Sequence, residues 1–124
     1  MFDPSLVEAA AAEKEVELTT FGRTTGRPSR RIMWITALNG RLYIRSGLGL
    51  TRDWPKNLLA NRRGILHIGG RDVPVRARHV TDPAEARALH APVKKKYHAE
   101  RPASQGDEPL TPAERAVFEL LPDQ

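Results

Sequence analysis

The fold is decided by the stretch RRIMWITALNGRLYIRS, which spans residues 30–46. Its two halves are rich in long, branched and aromatic side chains, which favour strands. Asn39-Gly40 lies between them and is the strongest short hairpin signal in the chain, because both residue types tolerate the positive φ angles of a tight turn. The stretch therefore predicts two adjacent antiparallel strands, residues 30–38 and 41–46.

The flanking segments extend this hairpin into an antiparallel α+β fold. Strands are predicted over Val16–Phe21 and in a second hairpin, which joins residues 65–68 to residues 72–80 through Gly69-Gly70. Helices are predicted after Asp3-Pro4, over Asp53–Asn61, and from Asp82-Pro83 to about residue 97, with a loop over 99–111. This arrangement predicts a small β-barrel with peripheral helices.

The C-terminal tail carries two competing signals. Thr111-Pro112-Ala113-Glu114 has the form of a capping box, which predicts the start of a helix. Residues 117–121 (VFELL) could equally form a strand. In the barrel interpretation, residues 116–121 are the closing strand, and about six strands are expected in all.

Composition limits the classes of protein to which the chain can belong. Its 124 residues fit one domain, residues 1–124. It has no cysteine, which excludes a disulfide framework and a thiolate metal site. No metal site is predicted, since His67, His79, His90 and His98 lack metal-ligand spacing. No apolar run approaches the roughly 20 residues of a membrane span, and no secretory signal is evident, so we expect a cytoplasmic protein.

The positive charge is concentrated in the middle of the chain. The net charge is +5, and residues 18–52 hold seven arginines and no acid. A segment without local carboxylates to neutralise its arginines favours a polyanionic ligand. The alternative is that these arginines lie on solvated strand faces.

One arginine-rich segment has the form of an anion-binding turn. Residues 18–31 read LTTFGRTTGRPSRR. A turn flanked by Gly22 and Gly26 can present backbone amides, hydroxyls and guanidinium groups to one anion. It is not a P-loop, because the Gly-Lys-Ser/Thr ending is absent and no helix is predicted after it. An ordinary hairpin with arginines on its surface remains the alternative.

The run LTTFGRTTGRP resembles the start of the deazaflavin-dependent nitroreductase and quinone reductase family, within the flavin-reductase-like split β-barrels that include pyridoxamine-phosphate oxidases. The resemblance continues through Trp34, the Asn39-Gly40 hairpin, WPKNLLAN at residues 54–61 and GGRDVPVRA at residues 69–77. It covers roughly residues 16–80. The chain departs from it at Thr24 and Ser29, where the family often has basic residues, and Arg30 or Arg31 would then compensate.

The resemblance implies a split β-barrel that binds an F(420)-type deazaflavin, favoured over FMN, with both ahead of a nicotinamide. The cofactor phosphate or acidic tail would meet the turn from Arg23 to Arg27 and the strand residues Arg30 and Arg31. The strand end Arg45-Ser46-Gly47 would lie along the ribityl chain or the ring, and Trp54 and Asn57 would border the site. The implied cofactor-binding residues are Arg23, Thr24, Thr25, Arg27, Arg30, Arg31, Trp34, Arg45, Ser46, Gly47, Trp54 and Asn57.

The implied function is an oxidoreductase that transfers hydride to a small organic acceptor such as a quinone or nitro compound. No catalytic residue is assigned, because the cofactor performs the chemistry in such enzymes. A homodimer is expected, since small barrels leave apolar faces to cover. The alternatives are a carrier that binds a cofactor or ligand without turnover and, less favoured, a nucleic-acid-binding module suggested by the sequence pI near 10.1.

Overall fold

The Asn39-Gly40 hairpin forms as the sequence predicts in a computed structural model, which describes residues 2–98 and 102–123. Strand β3 (Ile35–Leu38) pairs antiparallel with β4 (Arg41–Arg45). Asn39 and Gly40 have φ angles of 54° and 74°. Positive φ at both central residues is the geometry that suits the twist of a two-residue hairpin.

The strand predicted over residues 30–38 is two strands. Strand β2 (Pro28–Met33) pairs with β1 (Val16–Phe21), whereas β3 pairs with β4. These two halves lie at opposite edges of the sheet and are separated in the chain by Trp34 alone. One straight strand cannot pair with both ends of a sheet, so the ladder breaks at Trp34 and the chain joins the two edges there.

The sheet therefore has seven strands rather than about six. Its remaining members are β5 (Arg63–Ile68), β6 (Arg71–His79) and β7 (Val117–Pro122). The order is β2-β1-β5-β6-β7-β4-β3, and every neighbouring pair is antiparallel. The predicted closing strand is confirmed as β7, which lies between β6 and β4.

The helices follow the predicted pattern with one break. They are α1 (Pro4–Ala12), α2 (Asp53–Asn61), α3 (Pro83–Ala88), α4 (His90–Tyr97) and α5 (Pro112–Arg115). The helix predicted from Asp82-Pro83 to residue 97 breaks at Leu89, because Pro92 has no amide to donate to the carbonyl of Ala88.

Both signals in the tail prove correct. The capping box of Thr111 and Glu114 forms and starts the single turn α5, and the chain then extends into β7. None of the helices in the described ranges is long and apolar enough to cross a membrane.

The sheet separates two hydrophobic cores. The larger lies inside the barrel and includes Leu18, Ile44 and Phe118, with Leu6 of α1 and Leu58 of α2 packed against it. The smaller lies on the other face of β4 and β7, where Val80 and the helices α3 and α4 cover it. The candidate site lies beside this second core.

Candidate functional site

A cleft of about 440 Å³ opens between the β3–β4 hairpin and α4. The register pairs Thr36 with Tyr43, so these side chains share a face with Arg45, two residues further along β4. The other wall is formed by Leu89, Val93 and Tyr97. A concave, largely apolar site of this size with a few polar groups is typical of a small-molecule pocket.

An aromatic pair forms one end of the cleft. The rings of Trp34 and Tyr97 are stacked, with centroids 4.3 Å apart and planes at 3°. The Tyr97 hydroxyl oxygen lies 2.7 Å from the Lys14 carbonyl and 2.9 Å from the Ile35 carbonyl, and its single proton can donate to one of them at a time. The same oxygen accepts from the Ile35 amide (3.1 Å). Backbone contacts on both sides therefore fix the Tyr97 ring, and Tyr97 in turn supports Trp34.

Arg45 supplies a positive charge beside this aromatic pair. Ile35 pairs with Ile44, and Trp34 and Arg45 are the residues that adjoin this pair in the chain. They therefore lie near each other at this end of the hairpin. Within the described ranges the Arg45 guanidinium makes no hydrogen bond or ion pair, although it is partly buried. Burial lowers the pKa of Arg45, and the charge of Glu114 opposes that shift.

Glu114 makes no direct ion pair with Arg45, because other donors occupy its carboxylate. The residue is 1% exposed and accepts from the Ser104 hydroxyl (2.6 Å), the Ser104 amide (3.2 Å) and the Thr111 amide (2.9 Å). Burial raises the pKa of Glu114, but these hydrogen bonds outweigh it and hold the pKa below its usual value. Glu114 is therefore a fixed anion of the α5 cap.

The cleft as a whole is electropositive. Its described lining contains two arginines, Arg45 and Arg52, and no carboxylate. The hydroxyls of Thr36 and Ser46 also line it and make no hydrogen bond to another described side chain. The lining thus provides cations, free hydroxyls and an aromatic wall, which together suit a planar anionic ligand.

The arginine turn lies between β1 and β2. Backbone hydrogen bonds close it, from the Gly22 amide to the Arg27 carbonyl (2.8 Å) and from the Gly26 amide to the Gly22 carbonyl (2.9 Å). Arg23 and Arg27 are exposed. The guanidinium of Arg23 lies 4.0 Å from the carboxylate of Asp53, which is exposed too, so this contact is weak.

The predicted cofactor-binding residues divide into three groups. Five line the cleft, namely Trp34, Arg45, Ser46, Gly47 and Trp54. Four lie in the exposed turn, namely Arg23, Thr24, Thr25 and Arg27.

The other three predicted residues lie outside both places. Arg30 pairs with Glu17 at 2.7 Å, and Arg31 is exposed on the opposite face of β2, across from Leu18. Asn57 is buried and donates to the Thr20 hydroxyl at 3.1 Å, which ties α2 to β1.

Several lining residues were not predicted. Thr36 and Tyr43 could have been found by stepping two residues along each strand from Trp34 and Arg45, since alternate residues share a face. No local signal marks the others, which come from several elements: Ile32, Met33, Leu48, Arg52, Leu89, Val93, Tyr97 and Ala113. The described residues hold no His, Asp and Glu group that could bind a metal ion.

Solved structures share this architecture. An F(420) reductase is similar over 99% of this chain and 97% of its own, with 18% identity and a TM-score of 0.63. A candidate pyridoxamine 5′-phosphate oxidase from Listeria innocua covers 97% of this chain and 92% of its own at 16% identity and a TM-score of 0.70. An FAD-binding protein from Mesorhizobium loti covers 100% and 91% at 17% identity and a TM-score of 0.63.

These likenesses confirm the predicted split β-barrel fold. No curated protein matches the sequence significantly. A family model described as "Uncharacterized protein conserved in bacteria (DUF2255)" matches residues 6–120, which is nearly the whole chain.

Proposed function

We propose that this chain, which belongs to the DUF2255 family of bacterial proteins, binds a flavin-type cofactor and acts as an oxidoreductase on a small organic acceptor such as a quinone or nitro compound. One observation carries the proposal. An electropositive cleft pairs an aromatic wall with a partly buried arginine that lacks a described partner. Such a lining fits a planar ring with negative charge, and it offers no acid–base pair that could perform chemistry without a cofactor.

The residues that would hold the cofactor lie in two places joined by α2. In the cleft the ring would be bordered by Ser46, Gly47 and Trp54, next to Trp34 and Arg45. Arg23 and Arg27 would meet the anionic tail. Asp53, which contacts Arg23, directly precedes Trp54 in the chain, so the arginine turn lies close to this end of the cleft. When bound, the cofactor supplies hydride transfer. The chain itself binds, orients and shields the ring from water.

An F(420)-type deazaflavin is favoured over FMN because of the length of the positive surface. That cofactor carries a phosphodiester and a carboxylate-rich tail, whereas FMN carries one phosphate. The acid-free segment of residues 18–52 supplies both the turn and the cleft cations, including Arg31 on the strand between them. Arg30 contributes less, because Glu17 already engages it.

The binding test compares two matched double substitutions. Arg23→Ala/Arg27→Ala should weaken deazaflavin binding at least tenfold, since each charge-assisted contact contributes about 1.5–3 kcal/mol when partly shielded. Arg63→Ala/Arg76→Ala removes the same charge from a pair of exposed residues that face each other on β5 and β6, and it should change binding less than about twofold. Added salt should weaken wild-type binding as well. Equal losses in both variants would move the anion site away from the turn.

Turnover distinguishes the reductase from its alternatives. Reduced deazaflavin and a quinone such as menadione, mixed with the protein, should give reoxidation that saturates with quinone and depends on protein concentration. Cofactor binding without reoxidation would favour a carrier. Loss of both activities, together with tight binding of an oligonucleotide, would favour a nucleic-acid-binding module.

A homodimer is part of the proposal. Ile32, Trp34 and Leu48 are 64%, 51% and 60% exposed, and all three lie at the cleft. Such apolar side chains grouped at one place are typical of an interface, and a second copy would cover Ile32 and Leu48. Light scattering should give twice 13.8 kDa at micromolar protein, and Ile32→Lys should shift it towards the monomer. A wild-type monomer under the same conditions would contradict this part of the proposal.

A further inference from the structure

We infer that the cleft binds an aromatic carboxylate, with its ring against the Trp34–Tyr97 pair and its carboxylate on Arg45. The binding follows from the lining alone. The assignment of this ligand as the electron acceptor rests on the proposed reductase function. It narrows the acceptor from any quinone or nitro compound to a planar one that also carries a carboxylate at its edge. The quinone or nitro group takes the hydride from the reduced cofactor and a proton from water, and the carboxylate only binds.

Within the described residues Arg45 makes no ion pair, and the charge of Glu114 acts on it without direct contact. Glu114 is the nearby carboxylate, but the Ser104 and Thr111 donors occupy it. Burial and the charges of Arg45 and Lys94 lower the pKa of His90, and the charge of Glu114 opposes that shift. A guanidinium in such surroundings gains most from a carboxylate, which can accept two parallel hydrogen bonds from it.

The neighbours of Arg45 select an aromatic ligand over a simple anion. The stacked Trp34–Tyr97 pair lies beside it, and the Tyr97 hydroxyl holds that pair on the Ile35 backbone. Aliphatic side chains such as Val93 continue the wall. Inorganic phosphate would leave this apolar surface uncovered, whereas an aromatic ring would bury it and stack on the indole.

The test uses two ligands of nearly equal shape. Calorimetry with the cofactor-free protein compares 2-naphthoate with neutral 2-naphthamide. We expect naphthoate to bind at least about tenfold more tightly, which corresponds to one charge-assisted pairing. Arg45→Gln should abolish this preference, Arg45→Lys should retain part of it, and Arg63→Gln, a change at an exposed site on β5, should leave it intact.

Two results would overturn the inference. Equal affinity for naphthoate and naphthamide would show that the cleft does not recognise the charge. An unchanged preference in Arg45→Gln would place recognition elsewhere. A folding defect would abolish the binding of both ligands. A partly retained preference in Arg45→Lys would therefore show that substitution at this position leaves the cleft intact.

A second titration tests whether the naphthoate site is the acceptor site or the cofactor site, because both molecules can present a planar ring with a charged edge. The naphthoate titration is repeated with the protein saturated by oxidised deazaflavin or FMN. Simultaneous binding supports the acceptor assignment, and mutual exclusion overturns it by giving the Arg45 position to the cofactor ring. Failure of both cofactors to bind refutes the proposed function while leaving the naphthoate measurement valid.

Discussion

Replacing Tyr97 by phenylalanine tests whether the end of α4 holds the aromatic wall of the cleft in place. The change removes one oxygen and keeps the ring that stacks on Trp34. That oxygen joins three parts of the chain, because it contacts the Lys14 carbonyl after α1 and both backbone groups of Ile35 at the start of β3.

The expected loss of stability is about 2 kcal/mol. A hydroxyl has one proton, so it donates one strong bond and here accepts one more, and each such bond contributes a net 0.5–1.5 kcal/mol, or about 1 on average. Ile35 is fully buried. In the variant the Ile35 amide would lose its acceptor and have no water to replace it. The loss of this hydrogen bond should therefore cost an amount near the upper end of that range. The Lys14 carbonyl is near the surface and water can hydrate it. The loss of that hydrogen bond should therefore cost an amount near the lower end of the same range.

Urea unfolding followed by circular dichroism measures this loss. The midpoint should fall while the slope with urea stays constant, since the surface exposed on unfolding hardly changes. Lys95→Ala, at an exposed position of the same helix, is the matched control and should lie within about 0.5 kcal/mol of wild type. A Tyr97→Phe variant as stable as that control would show that water replaces the hydroxyl, and that Tyr97 does not fix the wall.

Two further predictions concern the scaffold. Gly64→Ala should cost about 1–3 kcal/mol by overpacking, because its Cβ would lie 2.8 Å from the Thr19 carbonyl oxygen, whereas Gly47→Ala, with nothing within 4 Å, should leave the melting temperature nearly unchanged. Hydrogen bonds, the strongest from the Ser5 hydroxyl, lower the pKa of Asp3 from 3.8 to about 2. A depressed carboxyl pKa stabilises the fold above the unfolded value, so melting temperature should fall between about pH 4 and pH 2, and Asp3→Asn should flatten that fall.

Local sequence signals were sufficient for most of the fold. Asn39-Gly40 specified a hairpin because its turn chemistry is local, and the same holds for the Thr111–Glu114 capping box. The break at Trp34 could not be predicted from residues 30–38, because every residue there is compatible with a strand. It arises from the pairing of β2 and β3 with different partners, which is a property of the whole sheet.

The candidate site was predictable where it follows the strands. Trp34, Arg45 and Ser46 were identified in advance and lie together at the cleft. Tyr97 was not, since 62 residues separate it from the Ile35 backbone that it contacts. The second wall of the cleft depends on how α4 docks on the sheet, and no spacing along the chain encodes that contact.

The central claim is that this split barrel binds a flavin-type cofactor. Its most direct test is a spectrophotometric titration of the full chain with oxidised F(420)-type deazaflavin and, separately, with FMN. We predict saturable perturbation of the cofactor spectrum at one site per chain, with the deazaflavin bound more tightly than FMN and both weakened by salt. Spectra that remain the simple sum of protein and free cofactor, for both compounds at low ionic strength, would contradict the claim.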